Sequence, residues 1–120
     1  MLIYNTTFHV EGENNLSPFL TYMRDVYVPA AIRDGLLQNP RFVRLLTDVG
    51  DNLFGYALMC EVEDVKILKK WKLETGRTLE SNFHQQFGEK VLMFSTSMKD
   101  VTVLNSEGFI KAIRETMDAM

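Results

Sequence analysis

The fold of this chain is decided by the stretch Leu53-Phe54-Gly55-Tyr56-Ala57-Leu58-Met59-Cys60-Glu61-Val62. Alternate residues of a β-strand point to opposite faces of its sheet. One alternate set is Phe54, Tyr56, Leu58, Cys60 and Val62, and the other is Leu53, Gly55, Ala57, Met59 and Glu61. Both sets are rich in apolar residues, so we predict a strand that is covered on both faces.

Strands and turns flank this stretch on both sides. Alternation of apolar and polar residues predicts further strands over 1–10, 41–47 and 90–99. Between the second and third strands, residues 48–52 (Asp-Val-Gly-Asp-Asn) contain the residues that favour a hairpin connection.

Two stretches of helical spacing lie between the strands. The first begins at Ser17 and Pro18, where a serine cap and a proline in the first turn favour a helix start, and Gly35 is a plausible stop. Pro29 predicts a kink late in this helix. The second helix runs from about residue 64 to 87, and Gly76 inside it costs about 1 kcal/mol relative to alanine and would allow a break.

The order strand, helix, strand, strand, helix, strand predicts an α+β domain over residues 1–99 with an antiparallel sheet. In a βαββαβ unit both helices pack on one sheet face, which leaves the other face bare. A bare face with apolar side chains usually marks an interface, and a second copy of the chain is its simplest cover. We therefore predict a homodimer; the alternative is a monomer whose C-terminal tail folds over that face.

The tail, residues 100–120, is an extension that the βαββαβ template does not explain. Ser106 can cap a third helix whose apolar residues recur at helical spacing. These residues are Phe109, Ile110, Ile113 and Met117. We predict an extra C-terminal helix that packs on the core or on the partner subunit.

Composition excludes several classes of function. The net charge of −3 gives no basic footprint for nucleic acid, so we predict no nucleic-acid partner. Cys60 is the single cysteine, which excludes an internal disulfide and a cysteine metal cluster. We expect no metal and no cofactor. The N-terminus lacks the features of a signal peptide and no apolar run is long enough to span a membrane, so we expect a cytoplasmic protein with no membrane partner.

Several segments carry a resemblance to a known family. They are the opening residues 1–10, Tyr27-Val28-Pro29-Ala30-Ala31, Gly35-Leu36-Leu37, Asn39-Pro40 and Phe87-Gly88-Glu89-Lys90-Val91. With these segments the sequence resembles a family of small uncharacterised bacterial proteins, a domain of unknown function. The resemblance covers residues 1 to about 99. It implies a ferredoxin-like fold of the dimeric α+β barrel type and implies no activity.

Four residues are the candidates for binding a small molecule. Asn5, Thr7 and His9 share one face of the first strand, and we predict that Tyr27 of the first helix is a neighbour. Small cofactor-free enzymes of this fold, monooxygenase-like or isomerase-like, use a histidine and a few polar groups in a pocket, which predicts a pocket between sheet and helices lined by Asn5 or His9. Alternatively these residues form a polar edge or hydrogen bonds across a dimer interface.

Three further constellations have simpler explanations. Asn5, Trp71 and His84 match the residue types of haem-degrading relatives of the fold, but on a helical wheel His84 falls far from Trp71. The run 54–57 resembles the centre of an RNA-recognition motif without its basic residue and last aromatic residue. The lysines Lys66, Lys69, Lys70 and Lys72 are typical of a solvated helix face.

The sequence therefore favours a non-catalytic binding or assembly module that acts as a homodimer. A cofactor-free enzyme is the first alternative, and an RNA-binding module is the least favoured.

Overall fold

The computed structural model describes residues 1–102 together with residues 107, 108, 110, 111, 113 and 114. Within these residues the predicted order of strands and helices is confirmed. The strands are β1 (Leu2–Glu11), β2 (Gln38–Arg44), β3 (Leu53–Val62) and β4 (Val91–Lys99). They form one antiparallel sheet in the order β2-β3-β1-β4, which is the order that two βαβ-type connections produce when both helices pack on one face.

Two long helices connect the strands, and each contains a π-helical turn. Helix α1 covers residues 16–32 and consists of α-helix Leu16–Tyr22, π-turn Met23–Tyr27 and α-helix Val28–Ile32. Helix α2 covers residues 65–87 and consists of α-helix Val65–Trp71, π-turn Lys72–Gly76 and α-helix Arg77–Phe87. Short 3-10 turns, Glu13–Asn15 and Gly88–Lys90, flank them.

Neither Pro29 nor Gly76 breaks its helix. Pro29 has no N–H to donate to the carbonyl four residues earlier. The π-turn in front of it absorbs this loss, because the Val28 N–H donates to the Met23 carbonyl five residues back. In the same way the Arg77 N–H donates to the Lys72 carbonyl across the π-turn that ends at Gly76. The helices therefore widen at these points and continue.

Two predicted boundaries were wrong. Helix α1 begins at Leu16 rather than at Ser17 and Pro18, because a 3-10 turn leads directly into it. Strand β2 was expected over 41–47 but spans Gln38–Arg44. An irregularity in the pairing between Gln38 and Arg41 lets the strand start before Pro40, which an edge strand tolerates because its outer N–H groups need no partner.

The hydrophobic core lies between the helices and one face of the sheet. Phe8 on β1 is fully buried, and its ring packs 5.4 Å from Phe19 of α1, 5.7 Å from Tyr27 and 5.4 Å from Phe83 of α2. The even-numbered residues of β1 and β3 therefore face the helices. Directly opposed residues of neighbouring strands lie on the same face of the sheet. The residues of β4 that pair with even-numbered residues of β1 therefore also face the helices.

Among the described residues, no helix covers the opposite face of the sheet; we call it the open face. Its side chains come from alternate residues of each strand. They are Ile3, Asn5, Thr7 and His9 of β1, Leu53, Gly55, Ala57, Met59 and Glu61 of β3, Arg41 and Val43 of β2, and Leu92, Phe94, Thr96 and Met98 of β4. Phe94 is 50% exposed and Leu92 55%, so large apolar side chains stand in solvent here.

The described residues of the tail, from 107 to 114 with gaps, are helical. The predicted cap Ser106 and the apolar residues Phe109 and Met117 lie outside the described residues, so the packing of the extra helix stays a prediction. In the part of the chain that the structure describes, no helix combines the length and the hydrophobicity needed to cross a membrane.

Cys60 gives a test of the assigned faces. It is 2% exposed on the helix side of β3, and burial raises the pKa of its thiol to about 11. At pH 8 roughly one molecule in a thousand would carry the reactive thiolate. We expect a disulfide reagent such as Ellman's reagent to react slowly with the folded protein and rapidly in denaturant. Fast modification of the folded protein at pH 8 would contradict the burial of Cys60.

Candidate functional site

The four candidate residues do not form one site. Asn5, Thr7 and His9 lie on the open face, whereas the Tyr27 ring lies in the core on the opposite side of the sheet. The prediction that Asn5 or His9 lines a pocket between sheet and helices is therefore wrong in its location. The reason is the alternation of β1: Phe8 and Val10 enter the core, which turns the odd-numbered residues away from it.

On the open face the three polar candidates interact with near neighbours. The Asn5 side-chain amide donates to Thr7 Oγ1 at 3.0 Å. The His9 ring stands edge-on to Phe94, with 5.2 Å between ring centroids. These contacts form a polar strip along β1 beside apolar side chains of β4, which is the mixture found at protein interfaces.

The open face has a shallow centre and raised edges. One line of paired residues crosses its middle from edge to edge. In order, they are Phe94 of β4, Thr7 of β1, Ala57 of β3 and Val43 of β2. Thr7 is 9% and Ala57 5% exposed, and each has a small side chain, whereas Phe94 and Val43 at the two edges are exposed. A second surface with a projecting aromatic ring could fit this shape.

The haem constellation is not assembled. Asn5 lies on the open face and Trp71 is buried on the helix side. His84 is exposed on α2, and its Nε2 lies 3.9 Å from Glu80 Oε1. The sheet separates Asn5 from Trp71, and His84 is exposed whereas Trp71 is buried, so the three side chains do not share a site.

The aromatic pair expected for RNA stacking faces the helices. The Tyr56 ring lies 5.5 Å from the Phe19 ring and 5.5 Å from the Phe42 ring, and Tyr56 is 8% exposed. Phe54 shares that face. Base stacking needs exposed rings, so the RNA-binding hypothesis loses the two residues on which it depended.

A cleft of about 410 Å³ opens between α2 and β4; we call it the α2–β4 cleft. It is lined by residues of β1, α1, α2 and β4. The ones with polar or aromatic side chains are Tyr4, Tyr27, Trp71, Lys72, Arg77, Glu80, Phe94 and Ser95. Of the four predicted candidates only Tyr27 is among them. Trp71 and Lys72 were named in other constellations, and the remaining lining residues were not predicted. The available signals were Gly76 inside a helix and Tyr4 in the apolar alternate set of β1.

Two tyrosines and a serine that line this cleft, Tyr4, Tyr27 and Ser95, have Thr6 as a common neighbour. Thr6 Oγ1 and Ser95 Oγ are 3.1 Å apart. Burial raises the pKa of Tyr4, and the charge of Glu80 adds to the rise while hydrogen bonds to Ser95 and Thr6 oppose it. Burial also raises the pKa of Tyr27, which is 4% exposed. Both tyrosines are therefore neutral hydrogen-bonding groups at physiological pH.

Trp71 fixes the inner wall of the cleft. Its indole N–H donates to the Ala31 carbonyl at 2.8 Å, which ties α2 to the end of α1. The Tyr4 ring meets the indole edge-on at 5.5 Å. A methyl group at Gly76 would lie 2.6 Å from Trp71 Cζ3, so the π-turn brings the backbone directly against the ring.

Among the described residues, no three histidine, cysteine, aspartate or glutamate side chains gather in a way that could hold a metal ion.

Comparisons with known proteins agree with this fold. Residues 1–101 match the model of DUF4286, described as a domain of unknown function. No curated protein matches the sequence.

Solved structures with the same architecture are distant in sequence. A dimeric ferredoxin-like protein from an uncultured marine organism is 14% identical, with a TM-score of 0.66 over 86% of this chain and 97% of that one. HapK from Hahella chejuensis is 10% identical, with a TM-score of 0.63 over 88% and 98%. An ethyl tert-butyl ether d (EthD) family protein from Bacillus halodurans is 10% identical, with a TM-score of 0.59 over 80% and 97%. They show the ferredoxin-like α+β fold.

Proposed function

The chain belongs to the DUF4286 family, a domain of unknown function, and we propose that it acts as a homodimeric assembly module whose subunits pair through their open faces. The observation that carries the proposal is the exposure of Phe94, Leu92 and Met98 on a sheet face that no helix of the described residues covers. Water-exposed apolar surface of this kind is stabilised when a partner covers it. Two of the solved structures with this fold are described as dimeric, which supports self-association as the way to cover it.

The shape of the open face suits a two-fold arrangement. In such a dimer the same patch contacts itself, so a projection on one subunit must meet a depression on the other. Phe94 at the β4 edge supplies the projection, and the small side chains of Thr7 and Ala57 supply the depression. Sheets packed face to face are about 10 Å apart, a distance that interdigitating side chains of this size fill.

Asn5, Thr7 and His9 have a role in this proposal. They lie between the apolar edges, where they would hydrogen-bond across the interface and fix its register. Mixed polar and apolar surfaces are common in interfaces, and buried polar groups there need partners. In this proposal Asn5, Thr7 and His9 therefore contribute to assembly. We also propose a cytoplasmic location, which suits the free thiol of Cys60.

Light scattering coupled to size exclusion tests the proposal. The chain has a mass of 13.8 kDa, and we expect twice that mass over a wide range of protein concentrations. The dimer should persist in high salt, because burial of apolar surface drives the association. A mass of one chain at high protein concentration would overturn the proposal.

A further inference from the structure

The α2–β4 cleft has an uneven distribution of charge. Lys72 and Arg77 of α2 line it, and neither forms an ion pair with a carboxylate among the described residues. The Lys72 Nζ lies 5.3 Å from the centroid of the Tyr4 ring, so this cation is held over the cleft. Glu80 is the one carboxylate that lines the cleft among the described residues, and it lies near His84. The net charge of the described side chains that line the cavity is therefore positive.

The interior of the cleft supplies neutral polar groups. The hydroxyls of Tyr4, Tyr27 and Ser95 belong to its lining, and Met93 and Leu73 add apolar surface. Binding sites for small molecules usually combine an apolar wall with a few polar groups that fix orientation. Two cations and three hydroxyl-bearing side chains around one cavity suit a molecule that has an anionic end and a hydrogen-bonding end.

Both π-turns lie beside this cleft. Tyr27 is the last residue of the π-turn in α1, and Gly76 is the last residue of the π-turn in α2; both line the cavity. Single π-turns within α-helices occur frequently at functional sites, where they redirect side chains. In α2 the turn lies between Trp71 and Arg77, so it sets the directions of Lys72 and Arg77 relative to the wall of the cleft.

We propose that the α2–β4 cleft binds a small organic carboxylate with a hydroxyl group, held by Lys72 and Arg77 at the carboxylate and by the hydroxyls of Tyr4, Tyr27 and Ser95 at its other end. The cavity volume of about 410 Å³ lies within the range of small-molecule sites. The inference goes beyond the proposed dimer. Phe94 of β4 is common to the cleft lining and the open face, but Lys72 and Arg77 lie on α2 away from the open face, so their variants test binding without altering the proposed dimer interface.

A titration followed by nuclear magnetic resonance tests the site. The probe is para-hydroxybenzoate, and the matched neutral probe is para-hydroxybenzamide, which keeps the ring and the hydroxyl and removes the charge. We expect saturable shifts from the acid on the amides of Lys72, Gly76 and Ser95. Para-hydroxybenzamide should bind about tenfold more weakly than para-hydroxybenzoate, because charge-assisted hydrogen bonds are stronger than neutral ones.

Charge-removing variants locate the interaction. Arg77→Gln and Lys72→Gln should each weaken binding of the acid about tenfold. Lys70→Gln removes the same charge from an exposed position of α2 outside the cleft and should leave the affinity unchanged. The proposal is overturned if the acid gives no saturable shifts, if the shifts fall elsewhere, or if acid and amide bind equally. A single-chain mass in light scattering would overturn the dimer and leave this result intact.

Discussion

Phe94→Glu is expected to convert the dimer into monomers. Phe94 is 50% exposed at the β4 edge of the open face, and in the proposed dimer its ring enters the depression of the partner. A carboxylate there would lose the apolar contact and would be removed from water in the interface. Substitution of an aromatic residue whose ring fills a depression on the partner costs about 2 kcal/mol or more. A two-fold dimer carries the change twice, so its dissociation constant should rise about a thousandfold.

Analytical ultracentrifugation over a dilution series measures this change. Val26→Glu is the matched control, because Val26 is an exposed apolar residue, 45% accessible, on the outer side of α1. It should leave the dimer intact. Met59→Glu, on the open face next to Asn5, should also give monomers. Circular dichroism must show that each variant is folded. Folded Phe94→Glu and Met59→Glu proteins that remain dimers would exclude the open face as the interface.

Much of the architecture could be predicted from the sequence. The strand over Leu53–Val62 was predicted with its observed bounds, and the second helix ends at Phe87 as expected. Glycine, proline and turn residues separate these elements clearly. The sheet face that meets the helices could not be predicted, because both alternate sets of β3 are apolar. Long-range packing decides it, with Tyr56 and Leu58 buried under the helices.

The candidate sites depended on that undecided face. Asn5 and His9 were grouped correctly with Thr7 on one side of β1, since alternation is a local property. Whether that side of β1 faces a pocket depends on packing between distant segments, which the local pattern does not show. The α2–β4 cleft joins Tyr4, Lys72 and Ser95, which are far apart in sequence. The π-turn also shifts the angular positions that an α-helical wheel assigns to residues after Trp71.

Trp71→Phe is expected to destabilise the fold by about 2–4 kcal/mol. The indole is 3% exposed, and its N–H satisfies the Ala31 carbonyl. Phenylalanine fills less volume and has no donor, so the substitution leaves a small cavity and an unpaired buried carbonyl. Urea unfolding measures the loss. Leu73→Ala is the control, because Leu73 is 64% exposed on the same helix and should cost less than about 1 kcal/mol.

A double substitution separates the role of the ring from that of the backbone beside it. Alone, Gly76→Ala places a methyl group 2.6 Å from Trp71 Cζ3, and the overpacking should outweigh the gain in helix propensity, with a net loss of about 1 kcal/mol. In the Trp71→Phe background the outer ring atoms are gone, so the same change should stabilise by about 1 kcal/mol. A cycle of four unfolding free energies reports this reversal as a coupling energy. The same effect of Gly76→Ala in both backgrounds would contradict this account. It would mean that the indole of Trp71 does not require a glycine at position 76, and that contact between the π-turn and Trp71 does not stabilise the wall of the cleft.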